Sequence, residues 1–140
     1  MKKIFLIASA LVFSLASMAQ TKADEIVKVG EEKHNFGKIP QGKPVVYFFE
    51  LKNISDKPVV VENASASCGC TVPEKPTKPI MPGETAKLKV QYNAAVVGPI
   101  NKEVYVKFAG VEQTKTLYIT GEVIAAAPAP TDGAKKPASK

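Results

Sequence analysis

Two cysteines and one histidine are the side chains of this sequence whose types point most directly to chemistry. Cys68 and Cys70 are separated only by Gly69. In an extended chain both thiols lie on one face, with their Cα atoms near the upper limit of about 6.8 Å for a disulfide, and a bend at Gly69 shortens that distance. The bridge would close a very short loop and stabilise the fold by only about 1.6 kcal/mol. It would therefore be a weak staple and comparatively easy to reduce.

Three interpretations of the cysteine pair follow. The first is a local disulfide, or two small packed side chains, without chemistry. The second is an exchangeable disulfide that takes part in redox reactions of the cell envelope. The third is a soft thiolate pair for Cu(I) or Zn, with His34 as the remaining candidate metal ligand. A closed zinc site needs four ligands, so Cys68, Cys70 and His34 favour Cu(I) over zinc. As an alternative, we expect His34 to hydrogen-bond to backbone at a strand end.

No other pattern in the sequence indicates an enzyme. A Cys–His nucleophile would need a third orienting group beside it, and the chain has no Gly-rich phosphate loop, no HExxH motif and no CxxC in a βαβ setting. The sequence predicts a non-catalytic protein without assigned catalytic or cofactor-binding residues. Cu(I) is the one cofactor candidate.

The basic net charge is concentrated outside the central part of the chain. The sequence has 19 Lys, no Arg and a formal net charge of +6. Residues 24–124 contain 13 Lys against 12 Asp or Glu, which is a net charge of only +1. Because phosphate recognition favours a basic patch on a folded face and planar contacts from Arg, we predict no nucleic-acid partner.

The amino terminus has the pattern of a secretory signal peptide. Lys2 and Lys3 precede an apolar run over residues 4–17, and the small residues Ser17 and Ala19 occupy the −3 and −1 positions of a cleavage site. The apolar run is shorter than the 20 or so residues that span a membrane. We predict a signal peptide over 1–19, cleavage after Ala19, and a mature protein without a membrane span in the periplasm or outside the cell.

The carboxyl terminus changes composition abruptly. Residues 125–140 (AAAPAPTDGAKKPASK) consist mainly of Ala, Pro, Lys, Gly and Ser. Such a segment cannot bury enough apolar surface to offset the entropy lost on ordering. We predict a disordered tail over 125–140.

Apolar residues alternate with polar ones through most of the segment between these termini. Tyr47, Phe49 and Leu51 share one face of a strand, and Glu50 and Lys52 point to the other. Turn sequences containing Gly and Pro separate such runs, and 11 prolines argue against long helices. About seven strands are predicted: Ile26–Val29, the region of Phe36, 45–53, 59–65, 86–92, 102–109 and 115–124. This number and spacing are typical of an all-β, immunoglobulin-like antiparallel β-sandwich over residues 24–124, and a small barrel is the alternative.

Three motifs, together with the strand pattern, resemble a known family. They are His-Asn-Phe-Gly at 34–37, Ser-Cys-Gly-Cys-Thr at 67–71 and Pro-Gly-Glu at 82–84. Over about residues 24–124 the chain resembles the bacterial domain-of-unknown-function family 1573. The resemblance implies an immunoglobulin-like fold in an exported bacterial protein, and it implies no activity.

These features predict an exported, non-catalytic binding or scaffold module of the cell envelope that contacts a protein partner. Sandwich edge strands suit such a role, because their unpaired backbone groups can accept a partner strand. The alternative is an envelope redox or Cu(I)-handling protein that uses Cys68 and Cys70.

Overall fold

The computed structural model describes residues 20–127. The predicted signal peptide and residues 128–140 of the predicted tail lie outside this range. The described chain contains one short helix and eight strands: α1 (Ala23–Ile26), β1 (Val27–Val29), β2 (Lys33–Pro40), β3 (Val45–Asn53), β4 (Val61–Ala66), β5 (Thr71–Glu74), β6 (Thr85–Tyr92), β7 (Gly98–Phe108) and β8 (Lys115–Ile124).

The strands form two four-stranded sheets. Sheet A has the order β1-β3-β6-β5, and sheet B has the order β2-β8-β7-β4. Every neighbouring pair is antiparallel except β2 and β8, which run parallel. The predicted all-β, immunoglobulin-like sandwich is confirmed, with the addition of this parallel pair.

The inward faces of the two sheets form the core. Alternate residues of β3 and β6, including Phe49, Leu51, Leu88 and Val90, are completely buried. Sheet B contributes Val104, Val106, Phe108, Leu117 and Ile119. Burying each of these side chains favours folding by about 1.5–3 kcal/mol, so the alternating pattern fixes which face of each strand turns inward.

The structure differs from the predicted elements at four places. β7 begins at Gly98, four residues before the predicted strand start at residue 102. β5 was not expected, because its four residues include Pro73 and show no alternation long enough to indicate a strand. The short helix α1 was also not expected. The segment predicted to start at Val59 joins β4 only from Val61, while Val59 instead exchanges two backbone hydrogen bonds with Ile80, at 2.9 and 2.8 Å.

A buried asparagine at the end of β3 connects three segments. The Asn53 side-chain amide donates to the carbonyl oxygens of Lys57 and Ile80, each at 2.7 Å. Its side-chain oxygen accepts from the Ser55 N–H and hydroxyl, each at 2.8 Å. The backbone of Asn53 bonds to Gly83 and Glu84 at 2.9 Å, which places the Pro-Gly-Glu motif against β3. This buried polar side chain is thus fully used as a hydrogen-bonding hub.

A lysine whose side chain is mostly covered ties the start of the described chain to β8. Lys115 Nζ lies 2.5 Å from Asp24 Oδ1 and 2.5 Å from Glu32 Oε1, and 11% of its side chain is exposed. Burial disfavours the charged lysine, but the hydrogen bonds to both carboxylates and their negative charges outweigh that cost and raise the pKa of Lys115. The contact holds α1 and the approach to β2 against β8.

Candidate functional site

The two cysteines lie where the chain crosses from one sheet to the other. β4 is an edge strand of sheet B, and β5 is an edge strand of sheet A. The residues between them turn at Gly69, and Cys68 and Cys70 are joined in a disulfide with their Cα atoms 5.3 Å apart. This separation lies well inside the range that disulfides adopt. The turn thus brings the Cα atoms closer than an extended backbone would.

Two backbone hydrogen bonds and one bond to a serine hydroxyl hold this crossover on both sides of the disulfide. The Ser67 N–H donates to the carbonyl oxygen of Glu103 at 2.9 Å, and the Glu103 N–H donates to Ser67 Oγ at 3.1 Å. The Asn93 N–H donates to the Cys70 carbonyl oxygen at 3.0 Å. The crossover is therefore attached to β7 before the cysteines and to the end of β6 after them.

A threonine hydroxyl lies beside both sulfur atoms. Thr71 Oγ1 is 3.7 Å from Cys68 Sγ and 3.9 Å from Cys70 Sγ. Only 3% of Thr71 is exposed, whereas both cysteines are half-buried. Cys70 packs against the hydrophobic core, and the position where Gly69 would carry a Cβ has no atom within 4 Å. One side of the crossover is therefore packed and the other is open.

The structure does not bring His34 to the cysteines. His34 lies on β2, at the opposite edge of sheet B from β4. With strands spaced about 4.8 Å apart, these two edges are about 14 Å apart. Residues 20–127 contain no group of three or more His, Cys, Asp or Glu side chains placed to hold a metal ion. The candidate metal ligands Cys68, Cys70 and His34 thus form no common cluster.

His34 belongs instead to an aromatic cluster between the two sheets. Its ring stacks on Tyr47 with centroids 3.6 Å apart, and it meets Phe36 edge-on at 4.8 Å. The Tyr47 hydroxyl donates to Glu31 Oε2 at 2.8 Å, and His34 Nδ1 lies 3.7 Å from the same oxygen. The hydrogen bond to Glu31, and secondly burial, raise the pKa of Tyr47, so this hydroxyl stays protonated as a donor. The alternating pattern predicted that Tyr47 shares the inward face of its strand with Phe49. The pattern gave no indication of the contact between Tyr47 and His34.

The four edge strands differ in how much free backbone they offer. β1 has three residues, and β5 has four, including Pro73, which has no N–H. Beside β4, Lys75 Nζ donates to the carbonyl oxygens of Val61 and Glu62 at 3.1 and 2.7 Å. β2 has eight residues, the last of which is Pro40, and it pairs only with β8 among the described strands. It is the longest edge that this part of the chain leaves unpaired.

The hydrogen bonds to β8 show which groups of β2 face outward. The Tyr118 N–H donates to the carbonyl oxygen of Glu32 at 2.8 Å. The backbone carbonyl group of Glu32 therefore points toward β8. Backbone groups of alternate residues in a strand point to opposite sides. The N–H and C=O groups of Lys33 and Asn35 therefore point to the free side of β2.

A β-bulge in β2 fits over a glycine of β8. The register shifts between Asn35 and Lys38, and Gly37, with φ +68°, donates its N–H to Asn35 Oδ1 at 2.8 Å. The Gly37 carbonyl oxygen lies 2.8 Å from the position that a Cβ would occupy on Gly121. Glycine at 121 therefore permits the close approach of β2 and β8.

Known sequences identify the chain at the level of a family. The family model for proteins of unknown function DUF1573 matches residues 27–123. This match confirms the resemblance indicated by the three sequence motifs. No curated protein sequence matches the chain.

Solved structures of low sequence identity share the fold. A protein of unknown function from Porphyromonas gingivalis has a TM-score of 0.62 at 12% identity, covering 70% of this chain and 46% of that one, so the present chain spans less than half of its length. The PapD-like domain 7 of human CEP192 has a TM-score of 0.57 at 14% identity, covering 89% and 100%. An MSP family member from C. elegans has a TM-score of 0.51 at 10% identity, covering 71% and 98%. These similarities support the sandwich fold alone.

The helices of the described residues were compared with the length and hydropathy of membrane-spanning helices. Across residues 20–127, no helix combines the length and the hydropathy needed to cross a bilayer.

Proposed function

The chain belongs to the DUF1573 family, and we propose that it is an exported, non-catalytic β-sandwich that binds a protein partner of the cell envelope along the free edge of β2. The observation that carries this proposal is the length of β2 as an unpaired edge: eight residues, against three and four at the edges of sheet A. A peptide that adds to a sheet edge gains main-chain hydrogen bonds along its length, so a longer free edge supports tighter binding.

Export is supported by the amino-terminal sequence. Lys2 and Lys3, the apolar run at 4–17 and the small residues before Gln20 form the three regions of a signal peptide. We therefore place the mature protein in the periplasm or outside the cell. In that setting the module meets its partner in the envelope.

Around β2, the non-catalytic assignment rests on how the neighbouring reactive groups are used. His34 is stacked on Tyr47, and the nearby Glu31 carboxylate accepts the Tyr47 hydroxyl. These groups close the side of the sandwich next to β2. Their contacts support a packing role in which the cluster keeps the edge strand in position.

The side chains along β2 support selective binding. Lys33 and Lys38 are exposed on β2, and the bulge lies between them. Lysines and bulges at a sheet edge discourage pairing with any strand that does not match their charge and shape. A partner strand must match the bulge, and acidic side chains opposite the two lysines would favour it.

Site-specific photo-crosslinking in cells tests this proposal. A photoreactive residue in place of Lys33 should give a discrete adduct with one envelope protein. The same residue in place of Lys52, an exposed lysine on the outer face of sheet A, is the matched control. Lys33→Pro removes an outward N–H at the first position of β2, where proline is tolerated, and should abolish an adduct formed from a photoreactive residue at Lys38.

Two crosslinking outcomes would contradict the proposal. Identical adducts from positions 33 and 52, or an adduct from position 38 that persists in a folded Lys33→Pro variant, would contradict binding along β2. Thermal unfolding of each purified variant separates loss of binding from loss of the fold.

A further inference from the structure

We propose that the Cys68–Cys70 disulfide is a thiol-exchange site, which accepts electrons from thiols while the sandwich stays folded. This activity is separate from binding at β2, because the crossover lies at the opposite edge of sheet B. The proposed substrate class is a thiol, either on a small molecule or on a protein cysteine.

The crossover does not depend on the disulfide for its attachment. Ser67 is bonded to Glu103 on β7, and Cys70 is bonded to Asn93 at the end of β6. The disulfide spans only Gly69, so breaking it releases little chain entropy. The bond is therefore free to open and close without detaching β4 or β5.

The two sulfurs have different surroundings, which assigns their roles. Cys70 packs against the core, while the open space beside Gly69 gives access to the outer side of the turn. An incoming thiolate attacks Cys68 Sγ and forms a mixed disulfide as the Cys68–Cys70 bond breaks. The electron pair of that bond stays on Cys70 Sγ, which becomes a thiolate.

Thr71 Oγ1 lies 3.9 Å from Cys70 Sγ and 3.7 Å from Cys68 Sγ, so its hydroxyl can donate to whichever sulfur becomes a thiolate. In the described part of the chain, the two sulfurs are the hydrogen-bond partners of this buried hydroxyl. A disulfide sulfur is a weak acceptor, and hydrogen bonds become stronger when the acceptor is ionised. The hydroxyl therefore favours the products of bond breaking more than the intact bridge.

The complete reaction balances with two thiols. A second thiolate attacks the sulfur of the thiol held on Cys68, which releases Cys68 as a thiolate. Proton uptake by both cysteines leaves a dithiol, so the protein disulfide and two RSH become the protein dithiol and RSSR. The thiol is oxidised and the protein is reduced.

The experiment measures the reduction of the purified, oxidised protein by glutathione and, separately, by reduced unfolded ribonuclease A. Alkylation and mass spectrometry follow the free cysteines, and near-ultraviolet circular dichroism follows the fold. Reduction by at least one thiol should proceed with the folded signal unchanged. Reaction with glutathione alone assigns a small-molecule thiol, and reaction with ribonuclease A assigns a protein thiol.

Variants at Thr71 test the role of the hydroxyl. Thr71→Val should slow reduction about threefold to tenfold, the range for a charge-assisted hydrogen bond partly formed in the transition state. Thr71→Ser keeps a hydroxyl and should retain most of the rate. Thr77→Val, at an exposed threonine, is the matched control and should react like the wild type.

Two single-cysteine variants test the assigned order. Cys70→Ser leaves the outer thiol at Cys68 and should form a mixed disulfide with oxidised glutathione faster than Cys68→Ser does. Cysteines that are reduced only in proportion to the unfolded fraction in urea would overturn the proposal. An unchanged reduction rate in a folded Thr71→Val variant would show that the Thr71 hydroxyl does not assist the exchange. Equal rates for the two single-cysteine variants would overturn the order of attack.

Discussion

Gly121 offers a sharp test of how β2 is held against β8. Gly121 and Gly98 both lie in paired strands of sheet B with strongly positive φ, +150° and +136°. They differ in their surroundings. A Cβ on Gly98 would meet nothing within 4 Å, whereas one on Gly121 would lie 2.8 Å from the Gly37 carbonyl oxygen. Substituting alanine at each position therefore separates backbone strain from steric contact.

The expected magnitudes follow from these two terms. An unfavourable φ for an alanine costs about 1–3 kcal/mol at either position. At Gly121, the Gly37 oxygen must also move from 2.8 Å to the 3.4 Å at which ordinary contacts begin. Such overpacking costs a further 1–3 kcal/mol or so. We expect Gly121→Ala to lower the free energy of unfolding by about 2–6 kcal/mol and Gly98→Ala by about 1–3 kcal/mol.

Urea unfolding of both variants, with hydrogen exchange resolved by residue, measures the difference. Gly121→Ala should additionally increase exchange of the β2 amides that bond to β8, because the bulge is displaced. Equal losses of stability for the two variants would refute the reasoning, since the contact with Gly37 would then contribute nothing. So would a larger loss at Gly98.

Further predictions concern a lysine, an asparagine and the two termini. Lys115→Met should lower the free energy of unfolding by about 1–2 kcal/mol at pH 7, measured in urea. Because the folded-state pKa of Lys115 is raised, this difference is full below its unfolded pKa of about 10.4 and is lost as the pH rises through the folded pKa. Asn53→Ala should cost about 2–4 kcal/mol, since it leaves buried hydrogen-bonding groups without partners; a cost near zero would contradict the hub. Mass spectrometry of protein from its native envelope should find Gln20 at the amino terminus, and intact Lys2 would contradict cleavage. Deleting residues 125–140 should shift the thermal midpoint by less than about 2 °C.

Local patterns in the sequence determined the class of fold and most of its strands. Side chains alternate between the faces of a strand whatever the strand pairs with, so Phe49 and Leu51 could be assigned to the core from spacing alone. The possibility of a disulfide closing a very short loop could also be predicted from the sequence, because Cys68 and Cys70 are two positions apart. β5 was not predicted, because a strand of four residues that includes Pro73 is too short to show an alternating pattern.

Only the tertiary structure decided which distant residues meet. The parallel pairing of β2 with β8 places Gly37 over Gly121, and the approach of β2 to β3 stacks His34 on Tyr47. The same topology separates His34 from the cysteines by the width of sheet B. Strand order depends on the packing of the whole chain, because many orders satisfy the same alternating pattern. The sequence alone therefore named the reactive side chains, and the order of the strands decided which of them lie together.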